Sequence, residues 1–345
     1  MDIHETLDHL TAGRTLAESE AETIFSSLLD GKLDDAQIGA LLALIQTRGA
    51  AVSELIGAAR VMRAHVTPVP VSTAPGQALI DTCGTGGAPK MFNVSTVAAI
   101  IAAAAGGAPE SPRVLVAKHG NRSRTGRGSA EALAQLGVNI DASPETQAAC
   151  LEQAGVCFCF AIHHHPAMKH AAGPRRSVGF RTIFNLLGPL TNPAGARRQL
   201  IGVYAKELVE PMAETLAALG AERAIVAHGL DGLDELTTSA PTLLAHVEDG
   251  AVRMQEVDAK SMGIDRATHD QMRVEGLEAA AETARAILQG QPGPRRDIAV
   301  FNAAAALLVA GVVDSLEHGI EASADAIDSG ATARTLKSLC IVSQA

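Results

Sequence analysis

Residues that could bind phosphate are concentrated between positions 79 and 137, in two loops that each follow a predicted strand. The first loop follows the apolar run 78–82, which is typical of a buried strand. Its small and polar residues, with those just after it, are Gly84, Thr85, Gly86, Gly87, Asn93, Ser95 and Thr96. Glycines let backbone N–H groups approach an oxyanion closely, and a capped helix beginning near Asn93 would attract negative charge. A tight turn without a ligand would also explain the glycines taken alone.

The second loop is strongly basic, although the chain as a whole carries a net charge of −10. No acidic residue occurs between Glu110 and Glu131. The polar and basic residues of this stretch, with its small ones, include Lys118, His119, Gly120, Asn121, Arg122, Arg127 and Ser129. Ammonium and guanidinium groups donate strong hydrogen bonds to phosphate oxygens, so the two loops together predict a polyphosphate site. A solvated surface loop would also fit the charge alone.

A second segment without acidic residues, 153–206, is rich in histidine and arginine. Three of its histidines, His163, His164 and His165, are consecutive, and Arg175 follows in the sequence GPRRSVGFRT. Consecutive side chains cannot all converge on one metal ion, and no HxxxH spacing accompanies them. We therefore favour polar contacts or substrate gating over metal binding for these histidines.

An acidic cluster follows the predicted strand 224–227 in the sequence HGLDGLDEL. Asp231, Asp234 and Glu235 offer carboxylate oxygens, which are the ligands that Mg²⁺ prefers. An acidic turn is the alternative interpretation. Because two phosphate-binding loops are predicted elsewhere, we favour a Mg²⁺ ion that bridges these acids to a diphosphate.

The elements that must position these residues fall into two parts. The first 65 residues have helical periodicity in four segments, with Asp34 or Asp35 capping the third and Ser53 starting the fourth. The proline-containing segment 66–76 predicts an extended hinge. The rest alternates between strands and helices, predicting an α/β fold in which a small N-terminal helical domain is hinged to a large α/β domain with a mostly parallel central sheet. Predicted strands lie at 78–82, 156–162, 199–204 and 224–227, and predicted helices at 208–219, 278–288, 298–310 and 316–328.

Composition argues against several other classes of protein. Aromatic residues make up 2% of the 345 residues, with no Trp and one Tyr, and the balance is acidic, so we expect no nucleic-acid partner. The five cysteines have no disulfide or zinc spacing, and Cys157 and Cys159 are predicted to pack in the core. The longest apolar run, 97–108, is too short to cross a bilayer, and no signal peptide is apparent. We expect a cytoplasmic protein without a membrane partner.

Seven motifs carry a resemblance to a known family: GTGG, FNVST, KHGNRS, GSAEAL, HPAMKH, RTIFNLLGPLTNP and DGLDE. In this order they closely resemble the anthranilate phosphoribosyltransferase family over about residues 5–340. The resemblance implies an enzyme of tryptophan biosynthesis that transfers the phosphoribosyl group of 5-phosphoribosyl 1-diphosphate (PRPP) to the amine of anthranilate. Diphosphate is released, Mg²⁺ is required and no covalent nucleophile is involved.

The same resemblance implies an architecture and a set of site residues. It implies a homodimer, a small domain of residues 1–66 completed by helices from about 166–190, and a large domain of residues 77–345. The implied PRPP-binding residues are Gly84, Thr85, Gly86, Gly87, Asn93, Ser95, Thr96, Lys118, His119, Gly120, Asn121, Arg122 and Ser129. The implied anthranilate-binding residues are Gly84, Asn121, His165 and Arg175. Ser95, Asp234 and Glu235 would bind Mg²⁺, as two ions.

The chain departs from the family pattern in both phosphate loops. The family usually has Asp where Ala88 stands, and the basic loop reads RSRTGRGSA where RSVSSKSGSA is more usual. Two alternatives are a nucleoside phosphorylase-like enzyme and a non-catalytic paralogue that binds nucleic acid. The sequence around Arg175 disfavours the first, and the acids of DGLDE disfavour the second.

Overall fold

The computed structural model of the protein describes residues 2–86, 91–108, 111–112, 114–123 and 126–345. Four helices open the chain: α1 Ile3–Thr11, α2 Glu18–Leu29, α3 Asp35–Arg48 and α4 Val52–Ala64. Asp34 caps α3, as predicted, by accepting the Gln37 N–H at 2.8 Å, and Gly49 follows the last residue of the helix. Gly57 lets α4 approach α2 closely, because a side chain there would overlap the backbone of Glu18.

Nine strands follow among the described residues: β1 Ala78–Gly84, β2 Gly107–Ala108, β3 Ser111–Pro112, β4 Val114–Gly120, β5 Val156–Phe160, β6 Arg198–Gly202, β7 Arg223–Gly229, β8 Thr242–Glu248 and β9 Ala251–Val257. Seven of them form one sheet in the order β5-β4-β1-β6-β7-β8-β9. The first five are parallel and the last two are antiparallel, which confirms the predicted mostly parallel sheet.

In the part of the chain that the structure describes, twelve further helices connect and cover these strands: α5 Val94–Ala105, α6 Ser129–Leu136, α7 Pro144–Ala154, α8 Ala161–His164, α9 Lys169–Val178, α10 Phe184–Leu187, α11 Val209–Ala218, α12 His269–Met272, α13 Leu277–Leu288, α14 Pro294–Ala310, α15 Leu316–Asp328 and α16 Ala331–Val342. Helices α5 and α14 pack on one face of the sheet, and α11 packs on the other. No helix among the described residues is both long enough and apolar enough to cross a membrane.

The strands bury side chains on both faces, which produces two hydrophobic cores. Leu200 and Ile225 belong to the core beneath α5 and α14. Their neighbours Ile201 and Val226 belong to a second core that also contains the apolar side chains of α1 to α4. Because side chains alternate across a strand, each strand contributes to both cores. The N-terminal helices therefore share one continuous core with a face of the sheet.

Helix α9 packs against α2 and α3, although it is distant from them in sequence. Ala171 of this helix is fully buried in the core that contains the N-terminal helices. This packing is the arrangement expected if residues 166–190 complete the small domain. The predicted domain bounds themselves remain a prediction.

Several sequence predictions need correction. Strand β5 ends at Phe160 rather than at 162, because α8 begins at the next residue. Ser53 does not cap α4; the Glu54 carboxylate accepts the Ala51 N–H at 2.9 Å, and the Ser53 hydroxyl donates to the Leu16 carbonyl at 2.6 Å. Strands β8 and β9 and the last helix were not predicted.

Glu54 is the polar centre of the N-terminal helices, with its side chain fully buried. It accepts the Leu16 N–H at 2.9 Å and pairs with Arg48 at 2.7 Å. We expect Glu54→Ala to lower the free energy of unfolding by about 3 kcal/mol, because the buried Leu16 N–H and the Arg48 guanidinium would lose their acceptor. Glu18→Ala, which breaks an exposed pair with Arg60, should cost less than about 1 kcal/mol. Urea denaturation measures both, and equal losses would contradict this role of Glu54.

Candidate active site

The two predicted phosphate loops leave the same edge of the sheet, because β1 and β4 are adjacent and parallel. Four of the parallel strands end on a glycine at this edge: Gly84, Gly120, Gly202 and Gly229. At Gly120 a side chain would overlap the Ser129 hydroxyl, so the basic loop folds back onto the first turn of α6. The amino ends of α5 and α6 therefore follow the loops at one edge, where helix ends attract anions.

Lys118 lies at the centre of this edge and is almost completely buried. Its Nζ donates to the Thr82 carbonyl at 2.6 Å and to the Ser95 hydroxyl at 3.1 Å. Burial lowers the pKa of Lys118, and the negative charge of Asp81 opposes that change. The lysine thus links β1, β4 and the first turn of α5 through one ammonium group.

Asp81 is a residue of this edge that sequence reasoning missed. Its side chain is fully buried in β1, and its Oδ1 accepts the His119 N–H at 3.0 Å. Burial raises the pKa of Asp81, and the hydrogen bond from His119 opposes the rise. An acidic residue inside an otherwise apolar strand was the available signal, because such residues are rarely buried without a partner.

Asp234 and Glu235 lie against the first loop. Gly202 makes this possible, since a side chain there would overlap the backbone of Asp234. Glu235 Oε1 accepts the Ser95 N–H at 3.3 Å. Burial and the neighbouring charge of Asp234 raise the pKa of Glu235 to about 8, while Lys118 opposes the rise. The loop that carries Asp234 and Glu235, the end of β4 that carries Lys118 and the start of α5 therefore meet at Ser95.

These residues fit a Mg²⁺ site of the kind that a substrate completes. No group of three His, Cys, Asp or Glu side chains among the described residues is arranged to hold a metal by itself. Mg²⁺ is commonly held by one or two carboxylates together with water and substrate phosphates. Asp234, Glu235 and the Ser95 hydroxyl supply such a donor set, and a cation there would offset the repulsion between the two acids.

Asp231, the other acid of this cluster, does not join the pair. Its Oδ2 accepts the Thr237 hydroxyl at 2.7 Å and lies 3.0 Å from His269 Nε2. Asp231 Oδ1 also accepts the Leu233 N–H at 3.3 Å. The side chain therefore stabilises the turn after β7, and the grouping of Asp231 with the metal-binding acids remains a prediction.

The remaining residues of the first loop have mixed roles. Gly86 has a positive φ of 68°, and the Thr85 hydroxyl accepts the Tyr204 N–H at 3.1 Å. Asn93 precedes α5 without capping it; its amide donates to the Arg127 carbonyl at 3.3 Å. Thr96 lies inside the helix, and its buried hydroxyl has no hydrogen-bond partner in the described part of the chain. Gly87 and Ala88 lie outside the described residues.

His119 and His165 form a buried pair with their Nε2 atoms 3.2 Å apart. Burial lowers the pKa of His119 to about 3 and that of His165 to about 4, so both rings are neutral near pH 7. His119 Nδ1 lies 3.1 Å from the Gly188 carbonyl, which can only accept. Nδ1 of His119 therefore carries the proton, His165 donates from Nε2, and Nδ1 of His165 is left as an acceptor.

The other two consecutive histidines point to different partners. His163 pairs with Asp141 at 2.8 Å, and His164 contacts Gln147 at 2.9 Å. These separate directions agree with the prediction of polar contacts rather than one metal site.

Arg175, Asn121 and Arg122 complete the predicted set. Arg175 lies on α9 with its guanidinium 5.2 Å from the centre of the Phe184 ring, a favourable cation–π contact. Arg122 instead lies over the ring of Phe160 at 5.6 Å. Asn121 is exposed and accepts the Arg122 N–H at 2.7 Å. Because α9 packs on the N-terminal helices, the predicted site spans them and the sheet edge.

A cavity of about 820 Å³ lies elsewhere, between β7, β8 and β9 and the helices α14 and α15. Its walls include Arg223, at the amino end of β7, and Gly311. The phosphate loops leave from the opposite ends of the parallel strands. The cavity therefore contains none of the site residues described above.

The neutral histidine pair predicts a pH dependence of stability. Both pKa values are lowered on folding, so the unfolded chain binds more protons below about pH 6.5 and acid favours unfolding. We expect His165→Gln to lose less stability than the parent between pH 6.5 and 4.5, by up to about 1.4 kcal/mol per pH unit. Urea denaturation at several pH values measures this difference. The exposed His4→Gln should follow the parent, and parallel curves for all three proteins would refute the prediction.

Comparison with known proteins finds relatives along most of the chain. Residues 4–66 match the family described as "Glycosyl transferase family, helical bundle domain", and residues 76–333 match "Glycosyl transferase family, a/b domain". The chain is 46% identical over 341 residues to an anthranilate phosphoribosyltransferase of Thioalkalivibrio sulfidiphilus, covering 98% of each protein.

Two solved structures resemble this one along its length. The crystal structure of anthranilate phosphoribosyltransferase from Thermus thermophilus has a TM-score of 0.90 and 37% identity, with full coverage of both chains. The Saccharomyces cerevisiae enzyme in complex with PRPP and Mg has a TM-score of 0.87 and 22% identity, covering 99% of this chain and 98% of its own; this second likeness concerns the fold alone. From the identity along the whole chain and the shared fold, the chain belongs to the anthranilate phosphoribosyltransferase family.

Proposed function

We propose that this protein transfers the phosphoribosyl group of PRPP to the amine of anthranilate and releases diphosphate. The observation that carries the proposal is the junction at Ser95, where buried Lys118 and Glu235 meet the start of α5 beside two glycine-containing loops. Curated relatives that carry this enzyme's name support it over a nucleoside phosphorylase or a nucleic-acid-binding protein.

The diphosphate substrate would be held at the carboxyl edge of the sheet. The amino ends of α5 and α6 and the ammonium of Lys118 supply positive potential there. As the bond from C1 to the diphosphate oxygen breaks, negative charge grows on the leaving group and these fixed donors stabilise it. The electron pair leaves with diphosphate, the amine nitrogen forms the new bond to C1, and the amine proton is released. No covalent enzyme intermediate is needed, so positioning and electrostatics would carry catalysis.

Ser95, Asp234 and Glu235 are the residues that would hold Mg²⁺. When bound, Mg²⁺ would neutralise charge on the diphosphate oxygens as a Lewis acid. The S. cerevisiae enzyme, which shares this fold, has been solved in complex with PRPP and Mg, which supports Mg²⁺ as the metal but does not identify its ligands. Two ions, as the sequence resemblance implies, remain a prediction.

The acceptor side would be formed by Arg175, Asn121 and His165. Arg175 presents a forked guanidinium to the anthranilate carboxylate, with Phe184 holding it from behind. Nδ1 of His165 would accept a hydrogen bond from the anthranilate amine, because its other nitrogen is committed to His119. Gly84 lies exposed at the end of β1, between the donor loop and the acidic pair.

The dimer and the small domain are implied by the resemblance, whereas the location and the hinge were predicted from the sequence itself. We propose a homodimer in the cytoplasm, with residues 1–66 and 166–190 forming a small domain that moves against residues 77–345. The segment 66–76, which forms no helix or strand, would provide the hinge. Closure of the two parts would exclude water from the reacting groups.

The loss of anthranilate fluorescence tests the proposed reaction directly. The parent protein with PRPP, anthranilate and Mg²⁺ should consume anthranilate. Absence of turnover at every Mg²⁺ concentration would contradict the proposal. The double variant Asp234→Asn with Glu235→Gln should lose about 100-fold or more in rate, because the charge on diphosphate is no longer balanced. As a matched control, Asp314→Asn with Glu317→Gln removes two exposed acids near the start of α15 and should keep the parental rate.

Arg175→Ala tests the acceptor side. Loss of the guanidinium should raise KM for anthranilate about tenfold or more, since a charged hydrogen bond to its carboxylate disappears. KM for PRPP should change by less than about twofold, because the phosphate loops are untouched. The neighbouring exposed Arg176→Ala is the control and should leave both constants unchanged. Equal effects of Arg175→Ala on both substrates would show that the carboxylate is held elsewhere.

A further inference from the structure

Arg127 of the basic loop forms hydrogen bonds that join three segments of the chain. Its Nη2 donates to the Met91 carbonyl at 2.6 Å and to the Val274 carbonyl at 2.5 Å. Its backbone N–H donates to the Ser123 hydroxyl at 2.9 Å, and its carbonyl accepts the Asn93 amide at 3.3 Å. One residue therefore joins the basic loop, the end of the glycine loop and a distant segment.

Each of the three joined segments leads into a helix. Met91 lies three residues before α5, Arg127 two residues before α6, and Val274 three residues before α13. Helix α13 packs against both α5 and α6, so the segment that contains Val274 has a fixed position relative to them. Val274 is itself buried, which gives the arginine a rigid anchor. The amino ends of α5 and α6 are thus held at a set separation by one guanidinium.

This separation matters for a ligand that bridges both helix ends. A polyphosphate bound by two loops binds more tightly when the loops are already placed, because less conformational entropy is lost on binding. Glycine-containing loops lose the most conformational entropy when they become ordered, so a hydrogen bond that orders such a loop in advance has the largest effect on ligand affinity.

We propose that Arg127 is a positioning residue that sets the two phosphate loops for the diphosphate substrate. It acts through its bonds to the Met91 and Val274 carbonyls, and the charge of the guanidinium is secondary. The proposal rests on the proposed function for the identity of the ligand. It predicts that substitution of Arg127 weakens PRPP binding without an equal effect on anthranilate binding or on the overall stability of the protein.

The test compares Arg127→Ala and Arg127→Lys with the parent, by titration calorimetry of PRPP in Mg²⁺ and by steady-state kinetics. Lysine keeps the charge and the aliphatic stem, but its Nζ is one bond closer to the backbone than Nη2 of Arg127, which donates to both carbonyls, so the ammonium should not reach both. We expect both variants to raise Kd and KM for PRPP about tenfold, equivalent to about 1.4 kcal/mol, with KM for anthranilate changed less than about twofold. Millimolar guanidinium should partly restore PRPP affinity to Arg127→Ala.

Arg285→Ala is the matched control. Arg285 also donates to a backbone carbonyl and also links α13 to α6, but at Gln135, near the far end of α6. It should leave PRPP affinity unchanged and should not respond to guanidinium. Arg127→Lys remains informative if Arg127→Ala fails to fold.

Three results would overturn the proposal. Parental affinity in Arg127→Lys would show that charge alone acts. Equal weakening in Arg285→Ala would indicate general destabilisation, and equal effects on both KM values would remove the link to the phosphate loops. Failure of the proposed function looks different: the parent would bind PRPP in the calorimeter without consuming anthranilate, and the Kd comparison would still decide the role of Arg127.

Discussion

The buried ammonium group of Lys118 is the constraint on which this edge of the sheet depends. A charge removed from water must be compensated, and here the Thr82 carbonyl, the Ser95 hydroxyl and the nearby acids provide that compensation. The requirement fixes β1, β4 and α5 relative to one another. Both phosphate loops begin from these elements, so their placement follows from the environment of one lysine.

The acidic loop completes the edge at an electrostatic cost. Asp234 and Glu235 are adjacent, and burial with mutual repulsion raises the pKa of Glu235 to about 8. The fold maintains this arrangement through close backbone packing at Gly202, where any side chain would displace the loop. Carboxyl groups with strongly shifted pKa values are concentrated at functional sites. The surrounding packing must hold such groups together against their mutual repulsion. The same pair is the one that would meet Mg²⁺ and diphosphate.

The two hydrophobic cores divide the buried side chains of the sheet between its two faces. The strands present Leu200 to one core and Ile201 to the other. The second core is continuous with the N-terminal helices and with α9, which carries Arg175. If these helices moved, Arg175, the proposed anthranilate-binding residue, would move with them. The neutral pair of His119 and His165 lies between the loop of β4 and the segment that leads into α9.

The sequence by itself determined the fold class, the four N-terminal helices and the family, because helical and strand periodicity and ordered motifs are local properties of the chain. It also indicated which charged residues gather at one edge. Only the tertiary structure decided that Asp81 supports His119, that Asp231 braces a turn, and that Arg127 joins three segments. Strands β8 and β9 were also missed, although they are neighbours in sequence, because β9 is a mostly exposed edge strand without an apolar run. Asp81 and Arg127 instead bond to partners 38 and 147 residues away, and long-range packing selects such contacts in a way that spacing along the chain does not record.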